Sequence, residues 1–162
     1  MKKLLLGVVL AASLALPAFA KNFAVPGKNP AVTVVVPDKW KSEEIEFGWS
    51  AKSPDGDVFF SIESANVKKI DALFDNNAKW MKENKINDKV QVEKREMDFN
   101  GIAGEVHRYN TKDANGPTIV DFVLMPGGKN TMILITLWAS SEERTANAKD
   151  IDSIMNSIKP IQ

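Results

Sequence analysis

The chain has 162 residues, with 21 basic and 21 acidic side chains, one His and no Cys. Without Cys there is no disulfide, thiol nucleophile or thiolate metal site, and a single His leaves little for zinc or copper. Balanced, scattered charge gives no basic footprint for nucleic acid and no polybasic patch for anionic lipid. Residues 1–20 have the form of an export leader, with Lys2 and Lys3, an apolar run from Leu4 to Leu16, and the small-x-small ending Ala18-Phe19-Ala20. The run is shorter than the roughly 20 residues of a bilayer span, and no Cys follows to take a lipid. Cleavage is therefore expected before Lys21, releasing a slightly acidic chain into a periplasmic or extracellular space with no stable membrane anchor.

Residues 21–31 hold two Pro and one Gly without an apolar period, and read as an extended N-terminal segment, mobile at its start. Residues 32–162 then read as one domain. Val32 to Val36 is a β-branched strand stopped by Pro37, and Trp40 follows in a turn. Ile45, Phe47, Trp49 and Ala51 alternate with Glu44, Glu46, Gly48 and Ser50, and Val58, Phe60 and Ile62 alternate with Asp57, Phe59, Ser61 and Glu63, with Ser53-Pro54-Asp55-Gly56 as the turn between. Closing that hairpin with Lys52 opposite Asp57 sets Ala51 by Val58, Trp49 by Phe60 and Phe47 by Ile62. A helix capped by Asn66 carries Ile70, Leu73, Phe74, Trp80 and Met81 in one inward stripe, with Asn77 inside it.

Val90 to Phe99 is a strand whose apolar parity switches between Val92 and Met97, for which a bulge near Glu93 to Arg95 is expected. Asn100-Gly101 turns into a meander of three strands, Gly101–Thr111, Thr118–Met125 and Asn130–Ala139, with Gly127-Gly128 as a two-residue turn. The last two strands are apolar on both faces, which places them at the centre of a sheet covered on both sides. Ser140 and Glu143 form a capping box, and the helix they start runs to about Ile158 with Ala148, Ile151, Ile154 and Met155 on one side. The expected fold is α+β: a single antiparallel sheet of about seven strands, in the order β-β-β-α-β-β-β-β-α, flanked by helices.

This order of elements resembles the PsbP-like/Mog-like superfamily. The residues that carry the likeness are Val34-Val35-Val36-Pro37-Asp38-Lys39-Trp40, the hairpin from Ile45 to Ile62, the helix near 67–84, Phe99-Asn100-Gly101-Ile102-Ala103-Gly104, the two apolar strands, and the final Ser153 to Lys159. The resemblance implies a PsbP-like α/β/α sandwich and a non-enzymatic role in binding or assembly support. It transfers no set of functional residues.

The residues give little chemistry of their own. A Ser-His-Asp arrangement would have to use His107, and no Gly-x-Ser-x-Gly elbow raises a Ser, so a hydrolase is the least supported reading. Asp55-Gly56-Asp57 and Asp113-Ala114-Asn115-Gly116 lack the spacing of a calcium loop and suit turns. No metal or other cofactor is expected. Asp121 stands out, as an acid between Val120 and Phe122 in a strand read as buried. Setting Thr111 opposite Thr118 puts Arg108 opposite Asp121 and His107 opposite Phe122, with Glu105, His107 and Tyr109 on the other face from Arg108. The pair can hold register or line a ligand cleft. Among the four Trp, Trp40 is expected to be the most accessible. The function these features support is an exported envelope protein that binds a protein partner, or alternatively carries a small apolar ligand between helix 67–84 and the sheet.

Overall fold

The computed structural model describes residues 20–161, so residues 1–19 of the expected leader lie outside it. Seven strands form one antiparallel sheet: β3 (Lys41–Ile45), β4 (Gly48–Lys52), β5 (Phe59–Asn66), β6 (Val92–Phe99), β7 (Ile102–Lys112), β8 (Pro117–Pro126) and β9 (Thr131–Ala139). Their spatial order is β3-β4-β5-β9-β8-β7-β6, which sets β9 and β8 in the interior as their two-sided apolarity requires. The edge strands are LysSerGluGluIle and a run whose middle, Glu93 to Glu96, is exposed and charged. Such edges discourage pairing with a further strand.

Each face has its own cover. Helix α1 (Ile70–Glu83) lies over one, meeting Ala65, Leu134 and Val120 through Leu73 and Met81. The other face carries Phe60, Ile62, Val123, Met125, Ile133 and Ile135, and buries them against α3 (Ala148–Asn156) and a second, smaller sheet. That sheet is β1 (Ala20–Val25), β2 (Val32–Pro37) and β10 (Lys159–Pro160), in the order β1-β2-β10. The architecture is α+β, with two sheets where one was expected.

The N-terminal segment is correspondingly not a free lead-in. It is β1, antiparallel to β2, with Val25 fully buried and Phe23 centred 4.5 Å from the Trp49 ring. Its Pro and Gly sit in the loop after the strand. The strand expected over 44–51 is two strands, because the chain reverses at Glu46-Phe47 with Ile45 opposite Gly48. A Cβ at Gly48 would lie 2.1 Å from the Ile62 carbonyl oxygen, so only glycine admits this approach. The β4–β5 hairpin closes on Ser53 and Val58, whose backbones bond at 3.0 Å. Trp49 therefore faces Ile62 and Ala51 faces Phe60, two residues from the expected register but on the expected face, whereas Phe47, in the reversal before β4, packs on the α1 face against Ala65 and Leu134.

Strand β6, the C-terminal helix and the turn after β8 also differ from expectation. Strand β6 has no bulge and pairs continuously with β7. Val92 lies opposite Tyr109 beneath α1, whereas Met97 and Phe99 turn to the α3 face, so the switch in parity records two covering layers. The C-terminal helix is two pieces, α2 (Ser141–Ala146) with its capping box and α3, broken at Asn147. The turn after β8 is wider than Gly127-Gly128, closing from Gly127 to Thr131 with positive φ at Gly128 and Asn130. Asn100-Gly101 is the two-residue turn its sequence demands, with φ of 53° and 92°.

Candidate functional site

Arg108 and Asp121 stand opposite one another on β7 and β8, and the guanidinium grips the carboxylate through Nε to Oδ1 at 2.7 Å and Nη2 to Oδ2 at 2.8 Å. A second arginine, Arg144 of α2, donates Nη1 to Oδ2 at 2.7 Å. Its Nη2 also reaches the carbonyls of Ile119 and Leu137, at 3.0 and 2.9 Å. Asp121, 5% exposed, is thus shared by two cations, one of which also clamps β8 to β9. Burial works against its ionisation more than any other single influence. The Arg108 hydrogen bonds and the charge and hydrogen bonds of Arg144 together outweigh it and hold the carboxyl below the usual carboxylate range. Every acceptor here is occupied from within the chain, so the triad fixes packing.

Arg144 went unnoticed in the sequence, although a signal existed. In the single helix expected from Ser140 to Ile158 it falls four residues before Ala148 and seven before Ile151, on the apolar side, where an arginine requires a partner.

Trp40 is not accessible. It is 1% exposed, packed in the core beneath α3, and its Nε1 donates to Asp150 at 3.0 Å. Lys39 approaches the same carboxylate at 2.7 Å. A ring that follows a turn is here the plug between the small sheet and α3.

His107 and Tyr109 lie on the α1 face. His107 Nε2 contacts the Glu105 carboxylate beside it, and Tyr109 meets Phe122 edge-on with ring centres 5.7 Å apart. They line a half-open cleft of about 330 Å³ between α1 and strands β7, β8 and β9, walled by Phe74, Met81, Phe122 and Leu134. Phe74, expected in the inward stripe of α1, is 41% exposed. The stripe is wider than the ground the helix covers, so its outer edge overhangs the cleft.

On the opposite flank of α1 the same face is polar. Register carries one row of side chains across the strands, from Glu43 through Ser50, Ser61 and Thr136 to Phe122 and His107. Asn77 of α1 reaches down to it, donating to Glu63 at 3.3 Å and accepting from Thr136 at 3.3 Å. Glu63 is 6% exposed, and its Oε2 takes the bonds from Asn77 and Ser61. Burial pushes its carboxyl up; those two hydrogen bonds oppose this and the nearby Glu46 charge adds to it. No Lys, Arg or His stands within ion-pair distance of Glu63 among the described residues. Beside it Trp80 stacks on Phe59 at 5.0 Å and meets Trp138 edge-on at 5.4 Å. The sequence marked half of this cluster, Asn77 inside an apolar stripe, but gave Glu63 only as one of the residues alternating with the apolar positions of its strand.

Among the described residues no group of three or more His, Asp or Glu is placed to hold a metal ion, and no helix is long and apolar enough to cross a membrane.

No protein-family model matches the chain, and no curated protein matches it. Solved structures do. The solution structure of cyanobacterial PsbP (CyanoP) from Synechocystis sp. PCC 6803 superposes with a TM-score of 0.59 at 10% identity, covering 96% of this chain and 99% of that one. A crystal structure from Bacteroides thetaiotaomicron gives 0.57 at 12% identity, over 88% of this chain and 48% of that one. LpqN of Mycobacterium tuberculosis, involved in cell envelope biogenesis, gives 0.53 at 11% identity, over 88% and 92%. The chain has the PsbP-like fold that the order of its elements implies.

Proposed function

We propose that this chain is an exported, non-catalytic binding protein of the cell envelope, supporting assembly or maintenance by holding an apolar group of a partner protein. The observation that carries this reading is the half-open cleft beside α1, with Phe74 overhanging its mouth. An exposed Phe at the lip of a concave apolar surface is the kind of feature a binding site uses and a sealed core does not. His107 sits in that cleft with Glu105 as its hydrogen-bond partner, an arrangement suited to a polar rim. The leader-like N-terminus supports an envelope location. LpqN offers a precedent in the same fold for envelope work.

A second reading, a carrier for a small apolar molecule, is favoured by the cleft's volume, which lies near the lower end of small-molecule sites. Photo-crosslinking from a reactive residue at position 74, in cells, separates the two. The partner reading expects a discrete protein adduct that Leu124→Asp, deeper in the cleft, abolishes without unfolding. Native mass spectrometry showing a bound small molecule instead, with no protein adduct, supports the carrier; neither species would overturn both.

A further inference from the structure

We infer that the polar trough on the β3–β5 flank of α1 receives a basic side chain from an extended segment of a partner polypeptide, with its cationic head on Glu63. The trough is two cavities, about 450 and 560 Å³, that share Lys52, Phe59, Asn84 and Trp138 and so run together. Eight carboxylates line them against two lysines, Lys52 and Lys79. Acidic walls alone would mark only a solvated surface. Glu63 is different, because it is more than nine-tenths buried and lines the first cavity. Both its hydrogen bonds go to Oε2, which leaves Oε1 without a partner, yet no buried polar atom among the described residues is sealed off unpaired. Oε1 therefore looks into the trough. A buried carboxylate with no cation of its own is a place where an incoming cation gains more than it would at the surface.

The aromatic floor defines the rest of the ligand. Phe59, Trp80 and Trp138 lie next along the trough, offering ring faces and edges to an alkyl stem and its cation. From Phe59 to Glu63 the strand covers about 13 Å, and the trough continues beyond Phe59 to the start of α2 at Ser141. That is longer than one lysine side chain, and it is open along its length. An extended chain presenting Lys or Arg fits it better than a compact free amine. The inference gives a partner chemistry to the binding role proposed above but uses the other flank of α1. Leu124→Asp therefore tests the apolar cleft, and Glu63→Gln tests the trough.

The experiment is calorimetric titration of an acetylated, amidated pentalysine peptide at low salt, with spermidine as a small-cation arm. The peptide is expected to bind, and Glu63→Gln to weaken it about tenfold or more. Glu46→Lys, at the exposed rim of the trough, is expected to weaken it as well and does not depend on how Glu63→Gln folds. Spermidine is expected to bind about tenfold more weakly than the peptide. Absence of peptide binding, or an affinity unchanged in both variants, would overturn the site. Spermidine binding as tightly as the peptide would overturn the polypeptide and leave a free polyamine as the ligand.

Discussion

Asp121 and Glu63 are nearly equally buried, at 5% and 6% exposure, on opposite faces of one sheet, and their surroundings treat them in opposite ways. Asp121 meets Arg108 and Arg144 at 2.7 Å, and its carboxyl is held down. Glu63 meets an amide and a hydroxyl, and its carboxyl is pushed up. Burial depth is the same in both cases; what differs is whether the fold supplies a cation. Where it supplies two, the carboxylate holds strands and helix together. Where it supplies none, the charge strains against its site and remains available to something from outside.

Removing a charge should therefore have opposite effects on the two sides. The largest effect is expected from Asp121→Asn, which leaves the largely buried Arg144 guanidinium without its counter-ion and should cost about 3–5 kcal/mol in urea unfolding at pH 7. Adding Arg144→Met should recover much of that loss, whereas adding Arg108→Gln should recover little, because Arg144 would still be stranded. Trp40→Ala is expected to cost about 3–5 kcal/mol, since the indole fills the space beneath α3. Retained stability there would return Trp40 to the surface. Arg108→Gln alone should cost on the order of 1 kcal/mol, because the group is partly exposed and Arg144 still satisfies Asp121.

The smallest effect carries the opposite sign. Glu63→Gln keeps the shape and removes an unpaired buried charge, and should stabilise the protein at pH 7 by roughly 1 kcal/mol. Its pH dependence follows from the raised carboxyl. Below the ordinary glutamate range both folded and unfolded chains carry the proton, and Glu63 does not oppose folding. As pH rises from there through its raised folded-state value, the unfolded chain loses the proton first and stability falls. The advantage of Glu63→Gln should therefore shrink as pH falls through that window. Asp121 runs the other way: its contribution is present above the ordinary aspartate range and is lost as pH falls toward its lowered folded-state value.

Much of this was legible in the sequence where chemistry is local. The Asn100-Gly101 turn, the capping box at Ser140 and the pairing of Arg108 with Asp121 each follow from a few adjacent residues or from a single turn. What escaped depended on distant cover. Val92 and Met97 face different layers because α1 lies over one face and α3 beneath the other, which no alternation within β6 reveals. Glu63 looks solvated in its own strand and becomes buried only when α1 crosses it. Arg144 lies 23 residues beyond Asp121 and arrives on a helix that begins after the next strand has ended. Trp40 likewise looked exposed until α3 closed over it.

The most direct test is the change in unfolding free energy at pH 7 when each carboxylate is neutralised, Asp121→Asn beside Glu63→Gln. The opposite surroundings of the two groups predict opposite signs, a large loss for Asp121→Asn and a small gain for Glu63→Gln. A comparable loss in both would mean that Glu63 is as fully compensated as Asp121, and would contradict the claim that the fold leaves its charge for a ligand.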